Sequence, residues 1–371
     1  MTVAIIANYL GPKLGIGQYI DQLIQPLVKE LRSKSVDVLI LGSPNAVQQT
    51  PSLQRLSDIV RVVPQLDYSP AKRYLWFAAR FARYCRQLGI DEVIWLSNPI
   101  VMPWHPPTIA VLHDVNEWKA GEKYGSRLKT MLRSFVYLDA SLNYAKKIVV
   151  VSQATERDLL YFRDKPSLRE KIRVIVNGAD SQLKGMPAVK IPYPRHPFIL
   201  SVGRIDPASK RLPEAIRLVA AMRELDTTAW ELHLVGGMNA STQESGEAFL
   251  ETIKPLPWAF YHGHVDDAVL AEWYRHTMAV VFLSDNEGFG FPIAEAASFN
   301  RWAIVSHKNA ASTEAGSDAL ITVDADQPKE AAVQVIRALS QGAPPTVNLQ
   351  SWTETAADYA DEISKLVAAN Y

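Results

Sequence analysis

The sequence changes character twice within residues 281–300, VFLSDNEGFGFPIAEAASFN. An apolar run comes first and breaks into a loop that contains Glu287, Gly288 and Gly290. An alanine-rich stretch then follows Pro292, and proline is favoured in a first helical turn because its missing N–H needs no partner there. The stretch therefore predicts a strand, a glycine-containing loop and a helix start, which is the repeating pattern of an α/β fold.

The predicted loop and helix start suit a ligand that carries both phosphates and hydroxyl groups. A helix start directs unpaired N–H groups and the positive end of its dipole towards an anion. Gly288 and Gly290 let the backbone approach that ligand closely. Glu287 and Glu295 are placed to accept hydrogen bonds from hydroxyl groups. A nucleotide-sugar carries both kinds of group, although two glutamates at this spacing also occur by chance.

The complete string E-G-F-G-F-P-I-A-E, residues 287–295, resembles the donor-site signature of retaining GT-B glycosyltransferases, family four in particular. The resemblance implies an α/β protein with the GT-B fold, in which two Rossmann-like doubly wound domains face each other across a cleft. It also implies sugar transfer from a nucleotide-sugar with retention of anomeric configuration. By family precedent Glu287 contacts the sugar and Glu295 the ribose. The resemblance also implies that Gly288, Phe289 and Gly290 line the donor.

A second group of candidate donor residues follows the predicted strand Phe198–Val202. Arg204 and Lys210 lie just beyond it, and two cations after a strand and a glycine form a phosphate clamp in principle. The alternative is ordinary surface charge at a helix start. The resemblance assigns both side chains to the donor diphosphate, where they stabilise the leaving group in catalysis. The sequence departs from the family at Arg211, where glycine is common.

The candidate residues of the first domain lie near two other strands. A glycine loop with Gly15 and Gly17 follows the predicted first strand, and it resembles the family's loop near donor phosphate and acceptor. His113 ends the predicted strand Thr108–Leu112. A lone histidine is more often structural than functional, but this one directly follows a buried-type strand, and the family places a sugar-contacting histidine at the end of such a strand. The segment Asn116–Tyr124 is expected to line the acceptor side.

The charge of the chain is unevenly placed. Residues 1–185 carry 25 Lys and Arg against 16 Asp and Glu, a net charge of +9, and the remaining residues carry −9. Residues 68–88 are predicted to form a helix in which basic and aromatic side chains alternate. That helix either binds an anionic membrane surface, with Trp76, Phe77 and Phe81 at the interface, or packs normally with a solvated basic face. Its basic residues are Lys72, Arg73, Arg80, Arg83 and Arg86.

Length and composition predict a soluble protein of two domains. The chain has 371 residues, 48% hydrophobic and 21% charged, and its single Cys85 fits a reducing cytoplasm. No apolar run approaches the ~20 residues of a membrane-spanning helix, and the N-terminus is expected to be a strand and not a signal peptide. The expected boundaries are 1–185, 186–350 and a C-terminal helix, 351–371, that crosses back to the first domain. A proline-rich stretch, 187–197, is the predicted linker.

The sequence predicts no metal cofactor. It has no His or Cys pairs at ligand spacing, and the D-x-D letters at 324–326 lie beyond the predicted site. No residue stands out as a covalent nucleophile, so a front-face mechanism is expected.

The best single assignment of function is mannose transfer from GDP-mannose to a glycan or lipid-linked glycan in polysaccharide biosynthesis, at the inner face of the plasma membrane. No nucleic-acid partner is expected. The alternatives are a GT-B nucleotide-sugar epimerase, a glycosidase that uses the two glutamates, and a non-catalytic nucleotide-sugar sensor.

Overall fold

The computed structural model describes residues 1–8, 15–97, 99–115, 118, 139–191, 194–285, 287–309, 314–315 and 317–369. The chain divides into two compact units, Met1–Gly178 with Gln350–Tyr371, and Ala179–Leu349. The predicted acceptor-side loop, Asn116–Tyr124, lies outside the described residues apart from Trp118.

The first unit is built on a parallel sheet with the strand order β3-β2-β1-β4-β5-β6-β7. Its central strands are almost entirely buried, as expected for a parallel sheet that helices cover on both faces. The order reverses between β1 and β4, as in a doubly wound Rossmann-like fold. The strands are β1 (Thr2–Ala7), β2 (Asp37–Gly42), β3 (Val60–Val62), β4 (Glu92–Trp95), β5 (Thr108–Leu112), β6 (Lys147–Val150) and β7 (Ile172–Val174).

Helices of the first unit connect these parallel strands. They are α1 (Gly15–Ser33), α2 (Pro44–Gln49), α3 (Pro51–Arg55), α4 (Pro70–Trp76), α5 (Ala82–Gln87), α6 (Ala140–Tyr144), α7 (Gln153–Phe162) and α8 (Pro166–Arg169). A π-helical segment, Phe77–Phe81, joins α4 to α5. Within the described part of the chain, no helix is long and apolar enough to cross a membrane.

The aromatic side chains of the basic helix pack inward. Phe77 and Phe81 are both 0% exposed, and their ring centres lie 4.5 and 5.9 Å from that of Trp95 on β4. The expectation that these two phenylalanines reach a membrane interface is therefore wrong. The physical reason is their spacing, because residues four apart share the helix face that lies on the sheet. The outward face carries Lys72, Arg80, Arg83 and Arg86.

The second unit is built on a parallel sheet with the strand order β10-β9-β8-β11-β12-β13, again with a central reversal. The strands are β8 (Phe198–Val202), β9 (Glu231–Val235), β10 (Ala259–Tyr261), β11 (Ala279–Phe282), β12 (Trp302–Ser306) and β13 (Leu320–Val323). The helices are α9 (Leu212–Leu225), α10 (Gln243–Ile253), α11 (Asp267–His276), α12 (Phe291–Ser298) and α13 (Pro328–Ser340). Both units therefore have the doubly wound topology that the sequence predicted.

The last helix, α14 (Trp352–Ala369), packs in the first unit. The hydroxyls of Tyr359 and Tyr19 on α1 are 2.6 Å apart and buried, and Thr355 donates to the Val176 carbonyl at 2.9 Å. Gly178 lies so close to Trp352 that a Cβ there would meet the indole at 2.5 Å.

The passage from the first unit to the second falls between Gly178 and Ala179, earlier than the predicted boundary after residue 185. The difference arises because the residues that follow are already bound to α11. Arg275 donates to the Met186 carbonyl at 2.6 Å, and the Val189 N–H donates to Glu272 at 3.3 Å.

Candidate functional site

The predicted donor residues of the second unit follow strands whose carboxyl ends meet at one edge of its sheet. Arg204 comes after β8 and Glu287 after β11, and these are the neighbouring strands between which the order reverses. Open α/β sheets bind ligands in the crevice outside such a switch point. The topology therefore collects these side chains where a ligand site is expected.

Two glycines keep this edge of the sheet free of side chains. Gly203 and Gly236 have φ angles of 135° and 148°, which L side chains rarely adopt. A Cβ on Gly236 would lie 1.8 Å from the Gly203 carbonyl oxygen, so only glycine fits. The ends of β8 and β9 are in direct backbone contact as a result.

Lys210 and Glu287 form an ion pair with each other. The Lys210 Nζ donates to Glu287 Oε1 at 2.6 Å, and the two side chains are only 21% and 24% exposed. The ammonium group also lies 4.8 Å from the ring centre of Phe282, at the end of β11. The structure therefore brings together Lys210, predicted to bind phosphate, and Glu287, predicted to bind the sugar. Each neutralises the charge of the other.

Arg204 is oriented by a carboxylate of its own loop. Its Nη2 donates to Asp206 at 3.2 Å, while its Nε is buried without a hydrogen-bond partner in the described residues. Burial alone would raise the pKa of Asp206, but hydrogen bonds from Ser209 and the charge of Arg204 outweigh it and lower that pKa. Asp206 is thus held ionised beside the guanidinium.

Helix α12 begins directly behind the glycine loop. Gly290 is its N-cap, with a φ of 97°, and Pro292 lies in the first turn. Phe289, a predicted donor contact, is 4% exposed and packs edge-on against Phe291, so its side chain belongs to the core. Gly288 is partly exposed in the loop itself.

Glu295 is buried on α12 and accepts a hydrogen bond from the Tyr274 hydroxyl at 2.5 Å. Burial and the neighbouring charge of Glu295 raise the pKa of Tyr274. No sequence pattern identifies Tyr274 as a site residue, since a tyrosine on the amphipathic helix α11 has the same spacing as the core residues of that helix. Only the tertiary contact identifies it as the residue that orients Glu295.

Arg211, the departure from the family pattern, adopts the left-handed conformation with φ 50° and ψ 44° and caps α9. For a side chain other than glycine this conformation costs about 1–2 kcal/mol. Its guanidinium contacts Asp285 at 3.2 Å, Glu214 at 3.5 Å, and Asp326. Asp326, part of the discounted D-x-D letters, is therefore an ion-pair partner of Arg211 in this structure.

The remaining predicted residues belong to the first unit. Gly15 is the first residue of α1 and Gly17 is buried in its first turn. His113 follows β5, and its Nε2 lies 2.8 Å from the Leu96 carbonyl oxygen. Because a carbonyl oxygen only accepts, Nε2 carries the proton and Nδ1 is left as an acceptor. Burial lowers the pKa of His113, which favours this neutral form.

In the described part of the chain, no group of three or more His, Cys, Asp or Glu side chains is placed to hold a metal ion. Arg204, Lys210 and the start of α12 carry positive charge at the carboxyl-terminal edge of the second sheet.

Two family models match the chain, one in each half. Residues 15–183 match a model described as Glycosyltransferase Family 4, and residues 196–341 match one described as Glycosyl transferases group 1. No functionally curated protein matches the sequence significantly.

Solved structures share the fold along the whole chain at low sequence identity. Sucrose-phosphate synthase from Thermosynechococcus elongatus is 17% identical, with a TM-score of 0.69 over 100% of both chains. Anabaena HepE, in complex with UDP and glucose, is 14% identical, with a TM-score of 0.67 over 100% of this chain and 99% of its own. A UDP-GlcNAc 2-epimerase from Methanocaldococcus jannaschii is 12% identical, with a TM-score of 0.59 over 98% of this chain and 100% of its own.

Proposed function

The chain belongs to the family 4, group 1 glycosyltransferases of GT-B fold, and from that premise we propose that it is a retaining enzyme that uses a nucleotide-sugar donor. The acceptor is a hydroxyl group of a glycan or lipid-linked glycan. One observation carries the proposal: Lys210 and Glu287, predicted to hold the diphosphate and the sugar, form an ion pair beside the glycine loop.

The positive charge at this edge of the second sheet suits a diphosphate leaving group. Arg204 has a buried N–H without a partner in the described residues, and a bound anion would remove that cost. Lys210 and the first turn of α12 add to the positive potential. Fixed charges of this kind stabilise negative charge as it develops, so we propose that no metal ion is required.

Donor binding would exchange the partners of the ion pair. Lys210 passes to the diphosphate, and Glu287 is freed to accept hydrogen bonds from the sugar hydroxyls. Glu295, held by Tyr274, accepts from the ribose hydroxyls. The Nδ1 of His113 is proposed to accept a hydrogen bond from the sugar.

The proposed chemistry is a front-face substitution. The bond between the anomeric carbon and the phosphate oxygen breaks, and the acceptor oxygen bonds to that carbon from the same face. The acceptor proton passes to the departing phosphate oxygen. The protein contributes position and electrostatic stabilisation and forms no covalent bond to the sugar.

The donor proposed first is GDP-mannose, in polysaccharide biosynthesis at the cytoplasmic face of the plasma membrane. Anabaena HepE binds UDP and glucose, so UDP-glucose is the natural second candidate. The exposed basic face of Lys72, Arg80, Arg83 and Arg86 supports contact with an anionic membrane.

Thermal-shift screening with UDP-, GDP- and ADP-sugars identifies the donor, and nucleoside diphosphate release with and without glycan acceptors then tests transfer. Lys210→Ala should lower release by roughly two to four orders of magnitude, the effect of losing one preorganised charge. Lys329→Ala, at an exposed lysine of α13, is the control.

The outcome separates the alternatives. Release that depends on acceptor supports the transferase. A free sugar product formed without acceptor indicates the epimerase, and binding without turnover indicates the sensor. Unchanged release in Lys210→Ala would contradict the assigned site.

A further inference from the structure

We propose that Arg211 is a positioning residue for sugar transfer, which fixes the loop that carries Glu287 relative to the loop that carries Lys210. Arg211 follows Lys210 directly, and its partner Asp285 lies two residues before Glu287. The inference rests on the proposed function, because that function assigns Lys210 and Glu287 to the donor.

The guanidinium of Arg211 joins segments that are far apart in the sequence. Its Nη1 donates to both carboxylate oxygens of Asp285, at 3.2 and 3.3 Å, and its Nη2 donates to Asp326 after β13. Asp285 also accepts from the Ser306 hydroxyl at 2.8 Å, and Asp326 from Lys308 at 2.9 Å. The loops after β8, β11, β12 and β13 are therefore held together around one side chain.

The backbone of Arg211 supports the same conclusion. A left-handed arginine persists only where its surroundings hold it in place, and strained residues of this kind cluster at functional sites. The side chain is 12% exposed and has three carboxylate partners, which is sufficient to hold it. The strained residue directly follows Lys210, so these contacts tie the backbone of the Lys210 loop to the loop of Asp285 and Glu287.

Arg211 and Arg204 differ in how far nearby carboxylates already match their charge. The charge of Arg211 is already matched by Asp285, Asp326 and Glu214, whereas Asp206 is the single carboxylate paired with Arg204 among the described residues. We therefore expect Arg211 to act on the sugar through the placement of Glu287 and to leave diphosphate binding largely unchanged. A residue that binds the diphosphate should affect both diphosphate binding and its release from the sugar donor. A positioning residue should affect only the release.

Arg211→Gly is the decisive variant, because glycine adopts the left-handed conformation freely and only the side chain is lost. Arg217→Ala is the matched control: it removes another arginine of α9 that contacts the same Glu214, at 3.1 Å, but is 55% exposed. Titration with UDP and GDP measures diphosphate binding. Release of UDP from UDP-glucose, or GDP from GDP-mannose, measures the step that needs the sugar.

We expect Arg211→Gly to bind the diphosphate within about threefold of wild type and to release it from the donor roughly ten- to a hundredfold more slowly, as small misplacements do. Arg217→Ala should match wild type in both. Asp285→Asn should resemble Arg211→Gly, and the double variant should be no worse than the poorer single one, since the two residues act as a pair. Amide exchange in peptides with Asp285 and Glu287 should be faster in Arg211→Gly.

Three results would overturn the proposal. Wild-type release in Arg211→Gly, with only a lower melting temperature, would show a purely structural role. Loss of diphosphate binding as severe as in Lys210→Ala would make Arg211 a ligand. Additive effects of Arg211→Gly and Asp285→Asn would exclude their coupling. If Arg211→Gly does not fold, Asp285→Asn must show the same division. Failure of the wild type to bind any donor would instead contradict the proposed function.

Discussion

Replacing Glu287 by glutamine should tighten the binding of free nucleoside diphosphate while it impairs turnover. Glutamine keeps the shape of the side chain but removes the charge that holds Lys210. The free variant would present Lys210 to the diphosphate without first breaking an ion pair. One negative charge next to the proposed phosphate-binding lysine would also be gone. Sugar transfer should still suffer, because Glu287 is the proposed acceptor for the sugar hydroxyls.

The geometry of the pair sets the size of the effect. Its 2.6 Å bond is short, and both side chains are about three-quarters shielded from water. Fully exposed pairs contribute at most about 1 kcal/mol, and hydrogen bonds to charged groups about 1.5–3 kcal/mol. The glutamine oxygen still accepts a weaker hydrogen bond from Lys210. The free-energy cost of freeing Lys210 for the diphosphate should therefore be about 1–2 kcal/mol lower in Glu287→Gln than in wild type. That energy corresponds to a roughly 5- to 30-fold lower Kd.

Calorimetric titration of wild type and Glu287→Gln with UDP and GDP measures this change. Glu251→Gln is the control, because Glu251 forms an ion pair of similar length with Lys254 on the exposed surface of α10. It should leave the Kd unchanged. A Kd for Glu287→Gln that equals or exceeds that of wild type would refute the reasoning, since the ion pair would then not compete with the diphosphate.

Three further outcomes are expected. Tyr274→Phe removes a hydrogen-bond donor to the buried Glu295, so the free energy of unfolding should fall by about 1.5–3 kcal/mol. Nucleotide affinity should fall as well, and unchanged denaturation and titration curves would argue against this role of Tyr274. Glycosyl transfer should continue in excess EDTA, and loss of activity that Mg²⁺ or Mn²⁺ restores would overturn metal independence. The triple replacement of Arg80, Arg83 and Arg86 by Glu should release the protein from anionic vesicles in co-sedimentation at low salt, with donor binding intact; equal sedimentation would exclude this face.

Local sequence patterns predicted the bounds of two strands, one in each sheet. β5 and β8 span Thr108–Leu112 and Phe198–Val202 as predicted, because buried parallel strands are recognisable as short, largely apolar runs. The basic helix shows the limit of this reasoning. Its aromatic residues have the spacing of one helix face, but nothing local says whether that face meets a membrane or a sheet. Phe77 and Phe81 meet the sheet.

Sequence patterns connect candidate site residues directly only where these residues are neighbours in the sequence. The glycine loop and its two glutamates form one continuous string, so the pattern itself reveals them. The partners of Arg211 lie 74 and 115 positions away, and no spacing rule connects such residues. Sequence reasoning noted that Arg211 was unusual and discounted Asp326. Their contact exists only because parallel strands bring their carboxyl ends to one edge.

The contact between Tyr19 and Tyr359 affects how the protein folds while the ribosome synthesises it. These residues are 340 positions apart, so at about 5–20 residues per second roughly 17–70 s of synthesis separate them. During that interval the α1 surface that will receive α14 has no partner. All residues of the second unit, Ala179–Leu349, are made before α14 exists. A nascent chain that stalls after residue 349 but before residue 352 therefore contains every residue of the second unit and lacks α14, so its first unit exposes the α1 surface that chaperones are expected to recognise.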